Sequence, residues 1–343
     1  MIDFNTGRKV INVYTGSELK QTVIFDGRQY MLKFPDPVED KKIKNVRNLS
    51  YKNNQYSEHI GSTIFAICGF NAQKTVLGYC SDGAGKQKVV VACEDFTQDG
   101  SKLHQFSTLR NEVIGDHPKL GESIEDVYQI VNSISYLENK QEILDGFWDM
   151  FVIDALIGNR DRHLGNWGVL EKAGKIKPAP VYDCGSSLGA MLSDQVMEEL
   201  LNSDTGFRNI EYNVNSCYTL GGKKIPYREI FKTPPHDLQE AIMRIVPKID
   251  IAKICTLIDE TPQMLEIRRE YLKKAVMLRY KEILAPALKR VLKQSRTDGS
   301  REENLPQKLS LQEVLADAKR KADAHNLNRE MSNPTKSRTL PER

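Results

Sequence analysis

Residues 139–157 (NKQEILDGFWDMFVIDALI) place Leu144, Phe147, Trp148, Phe151, Val152 and Leu156 on one wide stripe. A stripe that broad belongs to a helix buried in a core. Directly behind it the character of the chain inverts. The segment LIGNRDRHLGNWGVL (156–170) sets Asn159, Asp161, Arg162, His163 and Asn166 between apolar flanks, with glycines at 158, 165 and 168. Glycines let a loop turn tightly after a helix and present polar side chains. The fold must therefore bury a long helix and hold a polar loop at its end.

The rest of the chain divides around that helix. The first ~95 residues read as short strands rich in Val, Ile, Tyr and Phe: KVINVY (9–14), QTVIFDG (21–27), QYMLKF (29–34), KTVLGYC (74–80) and KVVVACEDF (88–96). Turns at Asp26-Gly27 and Asp82-Gly83 separate them. One helix interrupts them near 53–68, with Tyr56, Ile60, Ile64 and Phe65 at helical spacing. From residue ~120 the pattern is helical, over 122–134, 139–157, 194–203, 236–246 and 249–258. A further long helix is predicted to start with Thr261 as N-cap and Pro262 at its first position, and to end or kink at Pro286. The expected class is α+β, a small β-rich lobe over 1–96 and a mainly helical lobe over 97–295. A basic, largely disordered tail is expected over 296–343, with a marginal helix within 310–330.

Of the 343 residues, 40% are hydrophobic and 28% charged, ordinary values for a soluble globular chain. No run approaches the ~18 apolar residues of a membrane span, and the N-terminus lacks a basic-then-apolar leader. The net charge is only +3, and residues 287–343 alone carry +5. That balance argues against a nucleic-acid partner and reads most simply as a solvated tail. Six scattered cysteines without a CxxC pair, and six histidines without HxH or HxxxH spacing, argue against a zinc site and for a reducing compartment.

Asp161 and Asn166 have four residues between them. This is the D-x-x-x-x-N spacing of a kinase catalytic loop, where the aspartate orients the attacking hydroxyl and the asparagine holds a metal. Asp183, in APVYDCGSSLG (179–189), follows an apolar strand-like run and suits a second magnesium ligand. Lys33, inside the run QYMLKFPD, suits a phosphate-binding lysine, and Glu58 on the following helix its ion-pair partner. Tyr14 to Lys20 joins two strand-like runs and can fold over phosphates, although it holds one glycine only, Gly16. Each feature alone has an ordinary reading: a surface lysine, a solvent-facing glutamate, an aspartate ending a strand. The order in which they occur points to ATP-dependent phosphoryl transfer.

At these residues the chain resembles the HipA-like serine/threonine kinases, in a short form. WDMFVIDALIGNRDRHLGNWG (148–168) is similar to that family's catalytic loop, KPAPVYDCGSSL (177–188) to its metal-binding strand and YMLKFPDP (30–37) to its ATP-lysine strand. YKNNQYSEHI (51–60) resembles its glutamate helix and VVVACEDF (89–96) its hinge. The resemblance implies a two-lobed kinase fold related to lipid kinases. It implies Asp161 as catalytic residue, Asn166 and Asp183 as Mg2+ ligands, and Lys33 with Glu58 at the ATP phosphates. Glu94, Asp95 and Phe96 become the adenine hinge, and Gly16 and Ser17 part of the phosphate loop. His163 braces the catalytic loop. Autophosphorylation of Ser17, or else Thr15, is expected to switch the enzyme off. Longer family members carry an additional N-terminal subdomain, whereas here the phosphate loop begins near residue 14.

The resemblance further implies a protein substrate, a toxin or effector role, and an antitoxin or accessory subunit as partner. The expected setting is the bacterial cytoplasm, with export as an effector left open. Two other readings stand beside this one. The same catalytic parts serve a small-molecule or lipid kinase, and a non-catalytic nucleotide-binding module could use its basic tail to recruit a partner.

Overall fold

A computed structural model of the chain describes residues 1–11, 19–35, 53–114 and 122–299. The N-terminal part is built on β1 (Ile2–Asp3), β2 (Arg8–Val10), β3 (Lys20–Phe25), β4 (Arg28–Lys33), helix α1 (Asn54–Ile67), β5 (Thr75–Ser81) and β6 (Gln87–Glu94). These six strands form one sheet in the order β1-β5-β6-β4-β3-β2, antiparallel except for the β1–β5 pair. Side chains alternate across a strand with period two, and β6 shows the consequence. Val90 and Ala92 join Phe4, Val23, Leu32 and Cys80 on one face, while Val91 and Cys93 face the other with Ile60, Ile64 and Phe65 of α1. Because both faces are covered, β6 reads as the unbroken apolar run VVVAC rather than an alternating one.

The C-terminal part opens with β7 (Lys102–Gln105), α2 (Phe106–Ile114), α3 (Ile124–Ser133) and α4 (Lys140–Ile157), followed by β8 (Gly168–Lys172) and β9 (Lys175–Pro178). It continues through α5 (Asp194–Leu201), α6 (Asp204–Glu211), the hairpin β10 (Asn215–Leu220) and β11 (Lys223–Pro226), and α7 (Tyr227–Ile230). Helices α8 (His236–Ile245), α9 (Ile251–Glu260), α10 (Glu266–Arg279) and α11 (Ala285–Gly299) complete it. Helix α4 is apolar almost all round and packs against α1, α3, α8 and α10, so the stripe seen in the sequence is the centre of the core. A three-stranded antiparallel sheet, β7-β8-β9, leads the chain away from the polar loop that follows α4.

Two expectations are corrected, and a third, the end or kink at Pro286, is met only as a local irregularity. Thr261 does not cap the next helix: its hydroxyl donates back to the Leu257 carbonyl at 2.7 Å, closing α9, and α10 starts five residues later after a left-handed Gln263. At Pro286 the helix is not ended, but its regular winding is interrupted just before it. The chain widens into a π-turn over Tyr280–Leu284, with the Ala285 amide reaching back to Tyr280, and α11 then accepts Pro286 in its first turn. The run before Asp183 is not a strand; Val181 makes a single parallel bridge with Ala72. The expected phosphate loop with Thr15, Gly16 and Ser17, the helix expected within 310–330 and the chain from residue 300 lie outside the described residues.

Gly168 shows how tightly the small sheet is seated. A β-carbon there would lie 2.1 Å from the His104 carbonyl oxygen. Gly168→Ala must therefore push β8 off β7, and it is expected to lower stability by about 1–3 kcal/mol. The check is a fall in the urea midpoint at unchanged slope.

Candidate functional site

The polar loop begins where α4 stops. Gly158 ends the helix in a left-handed conformation (φ 66°). Arg279, from α10, donates to the Leu156 carbonyl at 2.7 Å and pairs with Glu211, whose other oxygen accepts from Tyr271 at 2.6 Å. The helix end is thus held from behind by a buried network. Asn159 continues the anchoring. Its side chain donates to Asp154 at 2.9 Å and accepts from the Asp161 amide at 3.1 Å, while its carbonyl accepts from Tyr227 at 2.8 Å.

Arg162 is the centre of the loop. Its guanidinium is 2% exposed and grips Asp154 through two bonds of 2.9 and 3.0 Å. The same group donates to the carbonyls of Asn166 (2.9 Å), Tyr182 and Asp183 (3.3 Å), and it lies over the ring of Phe65 on α1. Burial works against its charge, but Asp154 more than compensates, raising its pKa well above the ordinary value. One side chain therefore ties together the core helix, both ends of the polar loop and the segment carrying Asp183.

Lys33, Glu58 and Asp183 converge from three distant parts of the chain. The Lys33 Nζ lies 2.9 Å from Glu58 and 2.9 Å from Asp183. The second Glu58 oxygen accepts the Cys184 amide at 3.1 Å, which fastens α1 to the segment after Asp183. That approach requires Gly61, because a β-carbon there would meet Cys184 Cβ at 2.7 Å. Burial pushes the Asp183 carboxyl up, but Lys33, with help from Arg162, overrides it and holds the pKa at about 2. Cys184 is fully enclosed, and burial pushes its thiol up to about 12, so it acts as a small packing group.

Asp161 and Asn166 project from the same loop. The Asn166 Nδ2 donates to the Asp161 carbonyl at 2.8 Å. The Asp161 carboxylate is exposed, and the hydroxyl of Ser186 approaches its Oδ2 at 3.5 Å. His163 is exposed; its Nδ1 accepts the Gly165 amide at 3.0 Å, a bond internal to the loop.

At the expected hinge, the Glu94 amide donates to Lys74 at 2.8 Å and its carbonyl accepts from Gln73 at 3.0 Å. The Asp95 amide donates to Gln29 at 2.9 Å and its carbonyl accepts from Gln98 at 2.7 Å. Among the described residues only Phe96 of the three keeps an unclaimed backbone amide and carbonyl, and its ring lies 6.0 Å from that of Tyr182.

Sequence reasoning gave no role to Asp154, Arg162, Gly61 or Arg279. The first carried a signal, a lone carboxylate inside FVIDALI, where burial demands a partner.

The HipA-like C-terminal domain family matches residues 13–246. Serine/threonine-protein kinase CtkA of Helicobacter pylori is 34% identical over 283 residues, covering 80% of this chain and 83% of CtkA. The crystal structure of a Helicobacter pylori proinflammatory kinase CtkA superimposes with a TM-score of 0.77 at 32% identity, covering 86% of this chain and 98% of that one. HipA of Shewanella oneidensis MR-1, solved with HipB and operator DNA, gives a TM-score of 0.49 at 14% identity, over 81% of this chain and 66% of that one.

Replacing one member of the Arg162–Asp154 pair leaves a buried charge without its counterion. Arg162→Met is expected to cost about 3–5 kcal/mol in urea denaturation. Adding Asp154→Leu removes the stranded carboxylate and is expected to recover part of that loss.

Proposed function

Because this chain belongs to the HipA-like C-terminal domain family and is a serine/threonine protein kinase, we propose that Asp161, Lys33, Asn166 and Asp183 run its phosphoryl transfer from ATP to a protein hydroxyl. The observation that carries the reading is the buried Lys33–Glu58 pair with Asp183 against the same ammonium, each contact 2.9 Å. An active kinase requires its lysine–glutamate pair to be formed and its metal-binding aspartate to be in place.

In this reading Lys33 donates to the nucleotide phosphates while Glu58 keeps it oriented. Asp161, on a loop fixed by Asn159 and Arg162, accepts the proton of the attacking hydroxyl. Phe96 supplies the hinge bonds to adenine, since Glu94 and Asp95 are largely committed within the sheet and its turn.

Asn166 and Asp183 offer an amide oxygen and a carboxylate oxygen, a hard donor pair that fits Mg2+ shared with phosphate oxygens. When bound, the metal neutralises charge on those oxygens. The described residues contain no group of three or more His, Cys, Asp or Glu that could hold a metal ion. No helix among them is long and apolar enough to cross a membrane.

The phosphate loop with Gly16 and Ser17 extends the proposal. Phosphorylation of Ser17, or else Thr15, places about −1.5 to −2 charge where nucleotide phosphates bind and silences the enzyme. The family resemblance adds an antitoxin-type protein partner to the same proposal.

Purified protein with labelled ATP and Mg2+, alone and with a cell lysate, is expected to label itself or a lysate protein. Asp161→Asn is expected to lower incorporation by about 10²–10⁴-fold while nucleotide still binds in calorimetry. Labelling confined to a metabolite or lipid would reassign the substrate class, and binding without transfer would leave a nucleotide-binding module. Phosphosite mapping is expected to find Ser17 modified in silent protein and clean in active protein; an active enzyme fully modified at Ser17 contradicts the switch.

A further inference from the structure

Two adjacent serines follow Cys184, and their environments are opposite. Ser187 is fully buried, and its hydroxyl donates to the Cys184 carbonyl at 2.7 Å, closing the turn. Ser186 is exposed, and its hydroxyl faces the Asp161 carboxylate, Oγ to Oδ2 3.5 Å. It has no other hydrogen-bond partner among the described residues. That distance is long for an O–H···O bond. It matches a base and an acceptor hydroxyl in a site that bound substrates have yet to tighten.

The turn presenting Ser186 is firmly seated. Asp183 and Leu188 on either side are left-handed (φ 58° and 51°), the Ser187 amide donates to Cys184 at 3.2 Å, and the Leu188 amide to Ile157 at 3.0 Å. Ser186 is therefore held at the base by the fold itself, three residues beyond Asp183.

Resting on the reading of Asp161 as the base, we infer that Ser186 is an intramolecular phosphoacceptor whose phosphate closes the site to ATP. Its Oγ forms the new bond to the γ-phosphorus as the bond from that phosphorus to the bridging oxygen breaks. ADP leaves with the electron pair, and the hydroxyl proton passes to the Asp161 carboxylate. The transfer needs no second molecule of protein, because proximity replaces encounter. The product holds about −1.5 to −2 charge beside Asp161. That charge opposes the γ-phosphate of ATP, which ADP lacks. This acceptor is separate from Ser17, the acceptor expected from the family resemblance, which lies outside the described residues.

The test incubates full-length protein with Mg2+ and ATP in the presence of casein as a generic acceptor, then maps phosphopeptides by mass spectrometry. Phosphate is expected on the peptide containing Ser186, at a rate per molecule that does not change on dilution. It is expected to fall by about 10²-fold or more in Asp161→Asn, to persist in Ser186→Thr and to be absent from that peptide in Ser186→Ala. The Ser186-phosphorylated form, isolated, is expected to bind ATP about ten-fold more weakly and ADP unchanged in calorimetry. Labelled casein with Ser186 clean overturns this inference and leaves the kinase reading standing. Absence of label from casein and from every site on the protein overturns both. A rate that rises with protein concentration overturns the intramolecular route, and unaltered ATP affinity overturns the closure of the site.

Discussion

The site depends on one buried guanidinium. Arg162 has five N–H donors in a rigid plane, and the fold spends them on Asp154, on the carbonyls of Asn166, Tyr182 and Asp183, and on Cys184. A lysine would supply the charge without the fork and could not reach a carboxylate and several carbonyls in one plane. The pair with Asp154 is a poor source of net stability, because desolvating two ions roughly cancels their attraction. Its value is geometric. The loop bearing Asp161 and the segment bearing Asp183 are hydrogen-bonded to the same rigid group, so neither can shift without disturbing the other.

That coupling extends into the first lobe. Glu58 places one carboxylate oxygen on Lys33 and the other on the Cys184 amide, so the helix that orients the lysine is hydrogen-bonded to the residue after Asp183. Gly61, one turn further along α1, permits the close approach, and Phe65 lies under the Arg162 guanidinium. The path from the core helix to the lysine runs Asp154, Arg162, the Asp183 segment, Glu58, Lys33. Each step is a contact between buried or half-buried groups, where a small displacement is not absorbed by solvent.

What was legible in the sequence follows from periodicity and from fixed spacing. Of the six strands of the first lobe, β3 to β6 lie within a few residues of their predicted places, as do α1, α3 and α4, because burial on one face or all round writes itself into the order of apolar residues. Strand β2 covers the start of the predicted 9–14 strand, whose remainder lies outside the described residues, and the two-residue β1 was not predicted. The strands β7, β8 and β9 were missed. KLHQ and KIKP are four residues long and partly charged, and their partners lie up to 70 residues apart, so nothing local announces them. The Thr261-Pro262 pair has the local chemistry of a helix start, but the threonine hydroxyl is claimed by the helix before it. At the site, the spacing of Asp161 and Asn166 singled out the loop after α4, and Lys33, Glu58 and Asp183, singled out by their order, are brought into contact by the fold. Arg162 stood in plain view among the polar loop residues and was given no role, because its work is done on carbonyl groups, which leave no mark in a sequence.

Asp183 concentrates the remaining cost of the design. Its backbone is left-handed (φ 58°), a conformation that costs a non-glycine residue on the order of 1–3 kcal/mol. A glycine would relieve the strain and lose the carboxylate. The strain persists because the flanking peptide groups are pinned: the Asp183 carbonyl by Arg162, the Cys184 amide by Glu58, and the Tyr182 carbonyl by Arg162 again. With the backbone so held, the carboxylate turns toward Lys33 and the partly open face of the site rather than into the core. The ammonium of Lys33 then stands between Glu58 and Asp183, two carboxylates that would otherwise repel each other. Glu58 is enclosed and also fastened to the Cys184 amide, whereas Asp183 remains partly open. Under the proposed reading, phosphate oxygens and a cation would compete for these groups; the Lys33–Asp183 contact would then be the one to exchange, and Lys33–Glu58 the one that stays.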